Sequence, residues 1–338
     1  MNDHPSSSPL TKRKRTSEET VLAALHEESQ PEKRVKTKEC YTKHPVYWAV
    51  DGNILVQIGK TRFSLYRGYL AKHSEWFRSV LEVCGGVEDP GEEATLYQQG
   101  DRIIVLDETG VTVKDFEYLL GALDESIDYC YSPPPFPTVA AILRVAHTLN
   151  FPRYVAWATQ YLTNMWPTSL ASVSASRIPF AKTSVSLARK CGLSPILKRA
   201  LYELVRQDGF GQDDDVTLSS SDYQALLRAR EQLASAWIKA AACPTPQFAK
   251  CLSDTPHCAA CDLNSVNSAH IELVHASGIF EVHLYDPICG LQALVDEPKL
   301  NEKFCEACVR LRKDVWAKER EKVWADLDVW LGLGTVDI

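Results

Sequence analysis

Long apolar runs are what this 338-residue sequence most lacks. No stretch approaches the roughly 18 consecutive apolar residues of a membrane span, so no membrane partner is expected. The N-terminal residues are polar and charged with no apolar core, so no secretory leader is expected either, and the chain reads as soluble and intracellular. An excess of positive charge is also missing. The formal net charge of −7 argues against broad nucleic-acid binding, because a basic face would have to stand out against an acidic background. Catalytic signatures fail in turn. There is no Gly-x-Ser-x-Gly elbow. His270 and His275 are five apart in HIELVH, whereas a helical zinc-protease pair needs four. Asp213-Asp214-Asp215 lacks the glycine and closing glutamate of a calcium loop and reads as a solvated turn. Gly59-Lys60-Thr61 looks like the tail of a phosphate loop. Yet Ile54 stands where that loop needs glycine, and a strand pattern follows where a helix is required. No enzyme is expected, and no catalytic residues.

What is present is ordinary globular material, 45% hydrophobic and 24% charged, enough for two or three domains. Residues 1–43 have few large apolar side chains and read as a disordered tail. Two basic clusters lie in it, Lys12-Arg13-Lys14-Arg15 and Lys33, Arg34, Lys36 and Lys38. Short exposed clusters of this kind are bound by nuclear import receptors, so a nuclear location is expected, with the cytoplasm as the alternative.

From residue 44 the pattern changes. Ile54, Val56 and Ile58 alternate, Phe63 and Leu65 alternate after them, and the Gly59-Lys60 pair between makes a hairpin with a type II′ turn. Tyr69, Leu70, His73, Trp76, Phe77, Val80 and Leu81 then recur at helical spacing, with Ser74 as an N-cap. Residues 82–100 read as a surface loop, Ile103 to Leu106 as a strand, and Val113 to Leu123 as a helix. After Pro133-Pro134-Pro135, helices are predicted from about Thr138 to Leu149 and from Arg153 to Trp166. Residues 168–242 read as further helices, one ended by Gly192, one running from Leu197 to Val205, and one capped by Ser221 or Asp222.

The order hairpin, helix, loop, strand, helix, helix, helix resembles a BTB/POZ domain, above all the BTB proteins common in mushroom-forming fungi. The residues that carry the resemblance are Asp51 to Gly59, Phe63, Arg67, Leu70-Ala71 and Ser74-Glu75-Trp76-Phe77. Later ones are Val105-Leu106, Asp115-Phe116, Leu119-Leu120, Leu143, Ala146-His147 and Phe151 to Tyr154. The chain departs from the pattern at Asn53 and Tyr66, where the family often has Asp and His; in some members those positions line a charged groove. The resemblance spans roughly residues 45–167 and implies an α+β fold: a BTB/POZ-like domain over 44–167, with a hairpin-led sheet flanked by helices, then an all-α extension over 168–242 and a Cys-rich module over 243–338 ending in a long helix. It further implies a scaffold or adaptor that forms a homodimer or hetero-oligomer through its first helices, with Leu70, Trp76 and Phe77 as interface candidates for which a place in the core is the equal alternative. A cullin-type ubiquitin ligase adaptor and a transcription regulator are the two settings it implies.

Seven of eleven cysteines fall in the last hundred residues. The pairs Cys258/Cys261 and Cys305/Cys308 match the composition of a four-thiolate zinc site. Cys305 and Cys308 open a stretch of helical period through Leu311, Val315, Val323, Leu327 and Trp330, so both are expected in the first turn of a helix, whose N-terminus favours thiolates. The arrangement resembles a treble-clef zinc module. A zinc there would be structural, since four thiolates leave no open position for water. Cys243, Cys251, His257 and Cys289 are substitute ligands. Reduced, partly buried thiols are the plain alternative, and a redox pair the other. Two further functions stay open: a DNA-binding regulator using the cationic residues Lys303, Arg310, Arg312, Lys313, Lys318, Arg320 and Lys322, and a thiol- or metal-dependent enzyme. Acidic residues interleave with those cations, which fits an exposed helix with internal ion pairs. Of Trp316, Trp324 and Trp330, two are expected in the core.

Overall fold

The computed structural model describes residues 41–83, 103–211, 216–249, 251 and 263–334. The described residues from 41 onward belong to one compact unit. It is an α+β fold with a small mixed sheet and a predominance of helices. The strands are β1 (Thr42–Trp48), β2 (Ile54–Ile58), β3 (Thr61–Leu65) and β4 (Ile103–Val105), in the spatial order β1-β3-β2-β4. β2 and β3 form the expected antiparallel hairpin, with Ile58 opposite Thr61. Gly59 takes φ +56°, as the first position of the turn requires, so Gly-Lys-Thr is a hairpin tip. The outer strands β1 and β4 pair parallel to β3 and β2.

Helices α1 (Arg67–His73) and α2 (Glu75–Val83) follow the hairpin, and Ser74 caps α2 by accepting from the Phe77 amide at 2.9 Å. The same hydroxyl donates to the Leu149 carbonyl, tying α2 to the helices that follow β4. Those are α3 (Val113–Asp124), α4 (Ser126–Tyr131), α5 (Phe136–Thr148) and α6 (Pro152–Met165). α5 starts two residues before the expected Thr138, because Pro135 takes the cap position and Pro137 fits a first turn whose amides need no partner. Next come α7 (Ala181–Cys191), ended by left-handed Gly192, then α8 (Ser194–Val205) and the long α9 (Ser220–Ala241). The cap of α9 is Ser219, earlier than expected: the Asp222 carboxylate is drawn to Arg189, so it is Ser219 that accepts from the Asp222 amide. Beyond lie α10 (Leu263–His270), a π-helical turn (Ile271–His275), and α11 (Ile279–Val282). They are followed by α12 (Pro287–Asp296), α13 (Lys299–Lys303) and α14 (Glu306–Trp330).

Three apolar clusters result among the described residues. The first lies under the sheet and gathers Ile54, Val56, Phe63, Leu70, Phe77, Phe116 and Phe151. The second joins α5 and α6 to α7, α8, α9 and the last turns of α14, so the residues either side of 167 share one core. The third is built on Trp237, Phe248, Leu273, Phe304, Cys308 and Trp316. As expected, Trp316 and Trp324 are buried, while Trp330 is half-buried. Among the described residues no helix is long and apolar enough to cross a membrane.

Candidate metal centre

Cys251, Cys305 and Cys308 converge at the start of α14. Phe304 is extended and ends α13, which leaves Cys305 as the N-cap of α14 and Cys308 in its first turn. Cys305 therefore stands one position outside the helical turn expected for it. Cys251 reaches the pair from the segment after α9, just beyond a 3-10 turn at Pro246–Ala249. Its Sγ lies 3.9 Å from Cys305 Sγ and 3.8 Å from Cys308 Sγ.

Those distances define the chemistry. A disulfide needs about 2.05 Å between sulfurs, so no disulfide joins Cys251 to either of the other two. A tetrahedral thiolate site with metal–sulfur bonds of about 2.3 Å has sulfur–sulfur edges of about 3.8 Å. The two edges from Cys251 have that length and the third lies within 4.8 Å, so soft donors, spacing and the positive end of the α14 dipole all fit a metal ion such as zinc. Cys308 is buried, while Cys251 and Cys305 are half-buried. The expected partners Cys258 and Cys261, like His257, lie outside the described residues. Cys251, a substitute in the sequence reading, is a member of the cluster; its distance in sequence from the helix-start pair concealed the role.

Among the described residues, Cys243 and Cys289 are outside this cluster. Cys243 is exposed. Cys289 is buried against Asp286, and burial, aided by that carboxylate, pushes its thiol up to about 12. His270 and His275 are brought to one side by the π turn and bind the last carbonyls of α9, those of Ala241 at 2.8 Å and Ala242 at 3.1 Å. Burial lowers the pKa of His270.

The interface candidates divide. Leu70 and Phe77 are 1% and 0% exposed inside the sheet-led core, and Leu70 also lines the floor of the groove beside β1. Trp76 is half-buried, edge-on to Phe77. The apolar surface lies alongside. Val46, Tyr66 and Tyr69 are exposed around a groove of about 300 Å³ between β1, β3 and the start of α1. Sequence reasoning missed it because it missed β1, whose Pro45 and polar neighbours hide an edge strand. The basic clusters at 12–15 and 33–38 lie outside the described residues.

The cations near the C-terminus are largely engaged. Arg310, Lys318 and Lys322 pair with Glu306, Asp314 and Glu319 along α14, and Lys303 pairs with Glu272. Arg312 is buried, and Arg320 donates to the carbonyls of Ile288 and Leu170. Compared with known proteins, the chain matches no protein-family model, no curated protein and no solved structure.

Proposed function

We propose that the protein is a protein–protein interaction scaffold, docking through a BTB/POZ-like sheet module and stiffened by a structural zinc. The observation that carries this reading is the apolar groove beside edge strand β1, with Val46 74% exposed and Tyr66 and Tyr69 beside it. Apolar side chains at a sheet edge give a partner both buried area and a row of backbone groups to pair with. Self-association or a second protein in a regulatory complex, of ubiquitin-ligase or transcriptional type, would use this face. The basic clusters of the N-terminal tail support a nuclear setting, which imaging of a chain lacking residues 1–40 tests.

Light scattering across a concentration series is the direct experiment. Wild type is expected to dimerise, and Val46→Glu to weaken association at least tenfold with its melting temperature unchanged. A wild-type monomer whose partners in proximity labelling are indifferent to Val46→Glu overturns the reading.

In the same proposal Cys251, Cys305 and Cys308 hold one zinc, with the fourth thiolate from Cys258 or Cys261. Bound zinc supplies a fixed positive charge that joins the segment after α9 to α14, and a closed thiolate set gives it no hydrolytic role. Native mass spectrometry should find one zinc per chain, lost in Cys308→Ser and kept in Cys243→Ser. A metal-free wild-type chain purified with zinc present counts against it.

A further inference from the structure

We propose that Arg312 is the positioning residue of the metal centre, clamping together the two chain segments that carry its cysteines. The inference rests on the zinc reading above and adds a residue to it. Arg312 lies on α14 one turn after Cys308, and it is 2% exposed. One arm of its guanidinium, Nη1, donates to the Cys308 carbonyl at 3.2 Å. The other arm, Nη2, donates to the Phe248 carbonyl at 3.2 Å, three residues before Cys251. The central carbon of the group, Cζ, lies 3.6 Å from the ring centre of Phe304, the residue before Cys305, and 4.6 Å from that of Phe248. A single side chain thus touches Cys308 itself and the near neighbours of the other two ligands. Trp316, one turn further along α14, backs the same turn by packing edge-on against Phe248 at 5.7 Å.

The chemistry calls for arginine at this position. Its rigid planar fork can span two carbonyls and stack on two rings at once, whereas a lysine ammonium is a point charge on a flexible stem. Three or four thiolates around one zinc would carry net negative charge, and a guanidinium buried one helical turn from Cys308 would offset part of it where the dielectric is low. Holding the Phe248 turn against α14 also fixes Cys251 before metal arrives, so less ordering entropy is lost on binding.

The test uses the full chain loaded with zinc, then with cobalt, in wild type, Arg312→Met and Arg312→Lys. Two quantities are read: the rate of zinc release to a chromophoric chelator, and the thiolate-to-cobalt absorption. Arg312→Met is expected to keep one metal per chain but release zinc on the order of 10–100-fold faster, as loss of an outer partner does, with a shifted cobalt spectrum. Arg312→Lys, which keeps charge without the span, should fall between the two. Wild-type release rates and spectra in both variants overturn the proposal. Should Arg312→Met fail to fold, Arg312→Lys decides: faster release with a shifted spectrum supports the clamp, and wild-type behaviour overturns it. Failure of the zinc reading is distinct, since wild type itself would then hold no metal.

Discussion

Beside the second core sits a buried group of charges whose consequences are local to single side chains. Glu203 is fully buried and is approached by Arg199 at 2.8 Å, Arg206 at 3.6 Å and Arg177 at 3.8 Å. Arg206 also meets Asp286 at 3.1 Å, and the Tyr202 hydroxyl donates to the same carboxylate. Such charges persist away from water because each is opposed by another. They also set the proton affinities around them. Burial and Asp286 hold the Cys289 thiol up at about 12, against an ordinary value near 9. The Tyr202 hydroxyl is raised in the same direction, first by burial. An acid whose folded pKa is raised binds protons more tightly in the native state. Its stabilising effect is present below the unfolded pKa and is lost as pH climbs toward the folded one. Urea unfolding at pH 8 and pH 10.5 should therefore show a steep alkaline loss for wild type and a shallower one for Cys289→Ala. Equal slopes would show that Cys289 does not contribute. Arg199 and Arg206 stand at helical spacing from Glu203, but the pairing of Tyr202 and Arg206 with Asp286 could not be read from sequence, since it depends on the approach of α8 to the start of α12.

Among the elements, those marked by local chemistry were legible and those defined by distant partners were not. The β2–β3 hairpin followed from alternation around Gly59, α2 from the Ser74 cap, and the end of α7 from Gly192, all of which act within a turn or two. Edge strand β1 was hidden. Its order comes from pairing with β3 and from His44, whose Nδ1 accepts from the Val46 and Tyr47 amides while Nε2 reaches Glu117 on α3 at 2.6 Å. α10 to α13 were equally illegible, being short and lacking a clear stripe. The cysteine pair at the head of α14 was visible, but its third member was settled by the turn at Pro246–Ala249. One contact between elements makes a sharp prediction. A Cβ on Gly290 of α12 would lie 2.7 Å and 2.8 Å from ring carbons of Trp237 on α9. Gly290→Ala should cost about 1–3 kcal/mol through overpacking, seen as a lower urea midpoint. Trp237→Phe in the same chain should recover part of it, and no recovery would place the strain elsewhere.

At the level of the whole molecule, the third apolar cluster and the metal centre share their residues. Cys308 belongs to both, and Cys251 and Cys305 pack against the same cluster. The sheet-led core has no member from this region. Stripping metal with a strong chelator should thus increase hydrogen exchange across α10, α13 and the first turns of α14, leaving β2, β3 and α3 as protected as before. Exchange that rose evenly through the chain would mean that the metal supports the fold globally.

α14 spans two of the three clusters: Cys308 and Trp316 near its start belong to the third, and Val323, Trp324 and Leu327 near its end belong to the second. Its far end is also pinned to α8 by Lys198 and Asp328 at 2.7 Å. Of the described helices it is the last to leave the ribosome. α8 and α9 emerge before it, and their apolar faces wait for a wall that has yet to be translated. A message cut short upstream of Cys305 would therefore yield no smaller working protein; it would yield two open cores and a substrate for the cell's proteases.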